Sequence, residues 1–84
     1  MGKEITAEKV FGRVLKEKRN KKGVTQEQLA HECSLDRTYI SLLERGLRQP
    51  TLKTILKLSK ALDVKSWDMI RAVEKGMGST SASS

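Results

Sequence analysis

The stretch TQEQLAHECSLDRTYISLLERG, Thr25 to Gly46, contains two helix starts separated by only a few residues. Thr25 opens a capping box, in which a hydroxyl and a glutamine three positions later satisfy the first free N–H groups of a helix. Asp36 provides a second N-cap, and Gly46 is suited to ending a helix because glycine enters the left-handed conformation at low cost. The pattern predicts a helix over about Gln26 to Cys33, a tight turn, and a helix over about Arg37 to Arg45.

Two helices joined by about three residues cross at a steep angle, so small or apolar side chains are needed where they approach. Ala30 lies at the predicted crossing point, and the residues placed to face inward around it are Leu29, Cys33, Leu35, Ile40 and Leu43. At about 100° per residue, the opposite face of the second helix is left uncommitted. That face carries Arg37, Thr38, Ser41, Leu42 and Arg45.

An α-helix fits the major groove of B-form DNA, where each base pair presents its own pattern of donors, acceptors and methyl groups. Arg37 offers a fork of donors that suits guanine, and Thr38 and Ser41 offer hydroxyls that suit either base type. Leu42 is suited equally to a thymine methyl group and to a contact with another protein. We predict that the base-contacting residues are Arg37, Thr38, Ser41 and Leu42.

The charge of the chain agrees with a polyanionic partner. It has 17 lysines and arginines against 10 acidic residues, which gives a formal net charge of +7. With only 84 residues the chain forms one domain and has little room for a catalytic cleft. His31 and Cys33 have no neighbours at metal-ligand or nucleophile-base spacing. We therefore predict a binding module rather than an enzyme, with no metal and no cofactor.

The remaining sequence predicts three further helices and no strand, so the predicted fold is an all-α, compact five-helix bundle. The first helix covers Ala7 to Asn20 and stops before Gly23. The fourth is opened by Pro50 and Thr51, and its predicted inward stripe is Leu52, Ile55, Leu56, Ser59 and Leu62. The predicted organisation is a flexible N-terminus over residues 1–6, a DNA-binding domain over 7–75, and a disordered Gly/Ser tail over 76–84.

The fifth helix is predicted to start at a Ser66 cap and to close the domain on its apolar side. A small domain gains stability by pairing, and recognition helices need a partner to read two half-sites. We therefore expect Trp67 to point mostly into the core. The predicted two-fold dimer interface contains Met69, Ile70 and Val73.

The motifs of this chain resemble those of a known family. The pattern TQEQLA, followed by Ile40-Ser41, ERG, Pro50-Thr51-Leu52 and ALDV, resembles the XRE helix-turn-helix family of phage-type repressors. Within it, SLDRTYIS and ERGLRQPTL are similar to the controller proteins of restriction-modification systems. The resemblance implies a lambda repressor-like DNA-binding fold and a small dimeric autoregulator of transcription.

The resemblance also implies roles for individual residues. Gln26 would contact a DNA phosphate, Arg19 and Glu44 would form a salt bridge, and Ser34 replaces the glycine usual in the turn. A left-handed serine costs on the order of 1 kcal/mol, so a slightly altered turn is expected. Exposed cations near the predicted DNA surface add backbone contacts. The full predicted backbone-contacting set is Gln26, Tyr39, Arg45, Arg48 and Lys22.

The predicted function is sequence-specific binding of double-stranded DNA by a homodimer on a near-palindromic operator, with half-sites roughly 34 Å apart. A dimer on a promoter blocks RNA polymerase, or recruits it when placed just upstream. We expect a cytoplasmic protein that has no membrane span and no small-molecule ligand. Two alternatives remain at this point: an antitoxin-type module that masks a partner enzyme, and an RNA-associated coactivator of the same fold, although the latter lacks aromatic platforms for bases.

Overall fold

The computed structural model describes residues 5–78, and within that range it is all α-helical. The first helix begins after Thr6, whose hydroxyl accepts a hydrogen bond from the Lys9 amide, and it ends at Gly23 in the left-handed conformation. The all-α prediction is confirmed, and each helix lies within about two residues of its predicted position. The helices are α1 (Ala7–Lys22), α2 (Gln26–Cys33), α3 (Arg37–Glu44), α4 (Leu52–Leu62) and α5 (Ser66–Gly76).

The predicted terminal segments fall partly outside the described residues. Residues 1–4 of the predicted N-terminus and 79–84 of the predicted tail belong to that part. In the described parts of these two segments, Thr6 caps α1 and Gly76 is the last residue of α5. The N-cap of α1 thus precedes the predicted 7–75 range by one residue and α5 ends one residue after it, while the domain boundaries themselves stay a prediction.

Helix α1 is the centre of the bundle, with α3 against one side of it and α5 against another. Gly12 allows the close approach to α3, because a Cβ added there would lie 2.5 Å from the carbonyl oxygens of Leu43 and Glu44. Helix α2 packs on α3 and α4. The buried apolar core that results consists of Val10, Phe11, Val14, Leu15, Leu29, Ala30, Cys33, Ile40, Leu43, Leu58, Leu62 and Met69.

The predicted inward stripe of α4 is only partly correct. Leu52 and Leu56 are 71% and 51% exposed, whereas Leu58 and Leu62 are buried. Residues four apart lie on one side of a helix, and in α4 the side that carries Leu58 and Leu62 faces α2 and α5. The two exposed leucines therefore lie on the outer side of the helix.

Helix α5 is rotated relative to the prediction. Lys65 is its N-cap, and Ser66 is its first residue, with a hydroxyl 2.8 Å from the hydroxyl of Ser59. Met69 is fully buried in the core, so it has no surface to offer a dimer partner. Residues two apart point about 200° apart on a helix, and an inward Met69 therefore turns Trp67 outward, to 61% exposure. The prediction of an inward Trp67 is wrong.

Candidate nucleic-acid interface

Helix α3 has a buried side and an accessible side that share no residue. Ile40 and Leu43 are fully buried, and Glu44 joins them on the side that faces α1 and α2. On the other side, Arg37, Thr38 and Arg45 are exposed, and Ser41 and Leu42 are partly exposed. The four predicted base-contacting residues thus occupy one continuous side of the helix. Every residue that this side presents has surface available for a ligand.

The turn before α3 fixes the direction of that helix. Ser34 adopts φ 56° and ψ 42°, the left-handed conformation that serine was expected to disfavour. Its neighbour Leu35 donates a backbone hydrogen bond to the Ala30 carbonyl at 2.8 Å, which closes the end of α2. Asp36 is the N-cap of α3 by position, but its carboxylate makes no capping hydrogen bond. Ser34 therefore takes a conformation that glycine adopts readily, at a conformational cost of about 1 kcal/mol, and the expected alteration of the turn stays a prediction.

A nearly buried ion pair joins the ends of α1 and α3. The Arg19 Nε lies 2.6 Å from Glu44 Oε2, and the side chains are 11% and 2% exposed. The same guanidinium donates to Glu44 Oε1 at 3.1 Å and to the Val24 carbonyl at 2.9 Å. The hydrogen bonds to Glu44 raise the pKa of Arg19, so its positive charge is secured. The predicted salt bridge is confirmed.

Gln26 extends this network to the accessible side of α3. Its Nε2 donates to Glu44 Oε1 at 2.9 Å, and its Oε1 accepts from Arg37 Nη1 at 3.4 Å. The first residues of α2 and α3 are thereby linked, a contact that the sequence analysis did not predict. An amide nitrogen carries two hydrogens, so one remains for the phosphate contact expected of Gln26. That contact stays a prediction.

Gln26 and Arg37 line a shallow depression of about 570 Å³ at the start of α2. The free N–H groups at the start of α2 and the guanidinium of Arg37 favour an anion, although Glu27 also borders the opening. Lys22 and Arg48 are exposed but do not belong to the lining of this depression. The structure thus brings two of the predicted DNA-contacting residues together and leaves the other cations around them on the surface.

Tyr39 differs from the other predicted backbone-contacting residues. It is half-buried and packs against the core cluster, so only part of the ring is accessible. A tyrosine can pack its ring and expose its polar end, so a contact between its hydroxyl and a phosphate is compatible with this packing. Tyr39 is therefore kept in the predicted set.

The remaining reactive groups are placed as ordinary structural residues. Cys33 is buried, its thiol donates to the Lys57 carbonyl at 3.6 Å, and burial raises the pKa of the thiol. Among residues 5–78 there is no cluster of three or more His, Cys, Asp or Glu side chains arranged to hold a metal ion. In the same range no helix has the length and apolar character that crossing a bilayer requires.

Comparison with known proteins agrees with this geometry. The family model described as helix-turn-helix matches residues 15–67. The control protein C.BamHI of Bacillus amyloliquefaciens is 47% identical over 62 residues, which cover 73% of this chain and 76% of that protein.

Two solved structures are similar along most of their length. The restriction-modification controller protein C.AhdI of Aeromonas hydrophila is 44% identical, with a TM-score of 0.71, over 73% of this chain and 92% of that one. The controller protein C.Esp1396I, solved as a tetramer in complex with its natural 35-base-pair operator, is 38% identical, with a TM-score of 0.76, over 86% of this chain and 95% of that one. All three relatives are control or controller proteins.

Proposed function

The chain belongs to the helix-turn-helix family of transcriptional regulators, and from this premise we propose that it is a homodimeric, sequence-specific DNA-binding regulator of the restriction-modification controller type. The observation that carries the proposal is the accessible side of α3. Its donors, hydroxyls and apolar group are presented on a helix whose other side is fixed in the core. Such a surface can enter a major groove without any change in the fold.

Base readout is assigned to the four residues of that side. Only one N–H of Arg37 is directed toward Gln26, so the rest of the guanidinium is available for the two acceptors of a guanine. Thr38 and Ser41 supply hydroxyls, and Leu42 supplies an apolar contact for a thymine methyl. Gln26, Tyr39, Arg45, Arg48 and Lys22 are assigned to the phosphate backbone, where they fix the register of the protein on the duplex.

Pairing of two copies is assigned to the apolar side of α5. Ile70 is 45% exposed, and together with the half-buried Val73 it lines an apolar cleft of about 170 Å³ beside Ile55. A second copy of the chain would remove this apolar area from water and place two recognition helices in adjacent major grooves, roughly 34 Å apart.

Regulation would follow from occupancy of the operator. A dimer bound across a promoter excludes RNA polymerase, and a dimer bound just upstream can recruit it through a protein contact. Protein concentration is then the control variable, because dimerisation and operator binding both depend on it. The proposed place of action is the cytoplasm, where the DNA lies in bacteria such as those that carry the matched relatives.

The test is selection of bound sequences from a random duplex pool, followed by titration of Arg37→Ala on the selected site. Selection should enrich a two-fold symmetric motif. Arg37→Ala should weaken binding by about 1–3 kcal/mol and relax preference at one base pair. Lys22→Ala is the control, because loss of a phosphate contact should weaken binding to all sequences alike.

Two outcomes would overturn the proposal. The readout assignment is refuted if Arg37→Ala binds the selected site as tightly as the parent. If no motif is enriched and the protein instead forms a tight stoichiometric complex with a partner enzyme, the antitoxin-type function replaces the regulator. Sedimentation at operator-binding concentration tests the dimer separately, since a monomer at that concentration contradicts it.

A further inference from the structure

A second basic surface lies away from α3. It is a shallow depression of about 560 Å³ where α5 meets α4 and the second half of α1. Two carboxylates, Asp63 and Asp68, also line it, which leaves a surplus of three positive charges. The five cations of the lining are Lys18, Lys60, Lys65, Arg71 and Lys75.

These cations are not committed to ion pairs. Within residues 5–78 the one salt bridge is the Arg19–Glu44 pair, which includes none of these five cations. All five cations are exposed or half-exposed, and Lys65 has its ammonium group 5.4 Å from the centre of the Trp67 ring. Such cations can exchange their hydration for a phosphate contact without first breaking an ion pair.

The position of the depression separates it from both surfaces already assigned. Helix α3 packs on α1 and α2, whereas α5 packs on α1 and α4, so the body of the domain lies between α3 and the depression. On α5 itself, Ile70 and Val73 line the apolar cleft, whereas Arg71 and Lys75 line the depression. The depression therefore lies apart from the accessible side of α3, and pairing through Ile70 and Val73 uses residues that do not line it.

We propose that this depression binds the phosphate backbone of a second DNA segment, without sequence preference, while α3 holds the operator. The occupant follows from the composition of the lining. Phosphate contacts require only accessible cations, and they carry no sequence information. A protein partner would need a buried apolar or aromatic anchor, and the apolar lining consists of Val64 and Ala72, both small and partly buried.

The inference presupposes that α3 binds DNA, and the experiment separates the two. The dimer is first bound to one equivalent of a short, unlabelled operator duplex, so that no free operator competes for the depression, and a fluorescent duplex of unrelated sequence is then titrated while anisotropy is measured. Failure to bind the operator refutes the proposed function. Operator binding without capture of the second duplex refutes this inference alone.

The test variant combines Lys60→Gln with Arg71→Gln, which removes one cation from each of two helices that line the depression. When the logarithm of the binding constant for second-duplex capture is plotted against the logarithm of salt concentration, the slope should become less steep by about 1.8. Each lost phosphate contact contributes about 0.9 to that slope. Affinity for the short operator should not change. The matched control combines Arg13→Gln with Lys57→Gln, two exposed cations outside the depression, and it should capture the second duplex as the parent does.

Two results would overturn the assignment. In one, the test variant and the matched control lose the same salt dependence, so that capture reflects only the overall charge of the protein. In the other, a polyglutamate peptide binds the operator complex of the parent but not that of the test variant, and the second duplex is not captured. The depression would then be a site for an acidic polypeptide.

Discussion

Removal of the Glu44 side chain is the sharpest test of how α3 is held. Glu44 accepts two hydrogen bonds from Arg19 and one from Gln26, and its side chain is 2% exposed. Glu44→Ala would leave the guanidinium, which is 11% exposed, without its counter-ion. Breaking a buried pair in this way costs about 3–5 kcal/mol. Arg19 keeps its bond to the Val24 carbonyl, so we expect the lower end of that range, about 3 kcal/mol.

Urea unfolding followed by circular dichroism at fixed protomer concentration measures this loss. For a domain of this size it corresponds to a decrease in melting temperature of roughly 12–24 °C. A double-mutant cycle with Arg19→Ala isolates the coupling between the two side chains, which should exceed about 1 kcal/mol. Glu44→Gln is the matched control for shape. If Glu44→Ala unfolds within about 0.5 kcal/mol of the parent, the network does not hold α3 and the reasoning is refuted.

Three further outcomes are expected. Gly12→Ala should lower the free energy of unfolding by about 1–3 kcal/mol, because the new methyl group meets two carbonyl oxygens at 2.5 Å. This loss outweighs the better helix propensity of alanine. A variant that is as stable as the parent in urea, or more stable, would contradict this prediction. Ser34→Gly should raise the same free energy by up to about 1 kcal/mol by relieving the left-handed serine, and a loss would show that its side chain stabilises the turn. The raised pKa of Cys33 stabilises the fold fully below the pKa of an unfolded thiol, about 8.5, and this contribution is lost as the pH rises through the higher folded value. Unfolding of parent and Cys33→Ala between pH 8 and 10 measures it, and parallel pH profiles would contradict the assignment.

Local chemistry made the helix boundaries predictable. The capping box of α2 forms as the sequence indicates, since Thr25 and Gln28 exchange hydrogen bonds of 2.8 and 3.0 Å. Gly23 ends α1 in the left-handed conformation, as predicted, because glycine has no Cβ and enters this conformation at low cost. These interactions involve residues at most a few positions apart, so the chain itself specifies them. The separation of the two sides of α3 follows equally from helical periodicity.

Contacts between distant residues could not be predicted in the same way. Trp67 and Met69 are both large and apolar, and only the packing of α5 against α1 and α4 decides which of them points inward. The need for glycine at position 12 depends on the backbone of α3, which lies about thirty residues away in sequence. The link between Gln26 and Arg37 likewise exists only after the turn has brought two helix starts together.

The division of α3 into two sides has a consequence for how such regulators diverge. Ile40, Leu43 and Glu44 are the anchors of the helix, and none of them is among the four positions assigned to base readout. Those four can be exchanged as a set while the anchors stay the same. A lineage built on this domain can thus acquire a new operator by a few substitutions and retain its architecture.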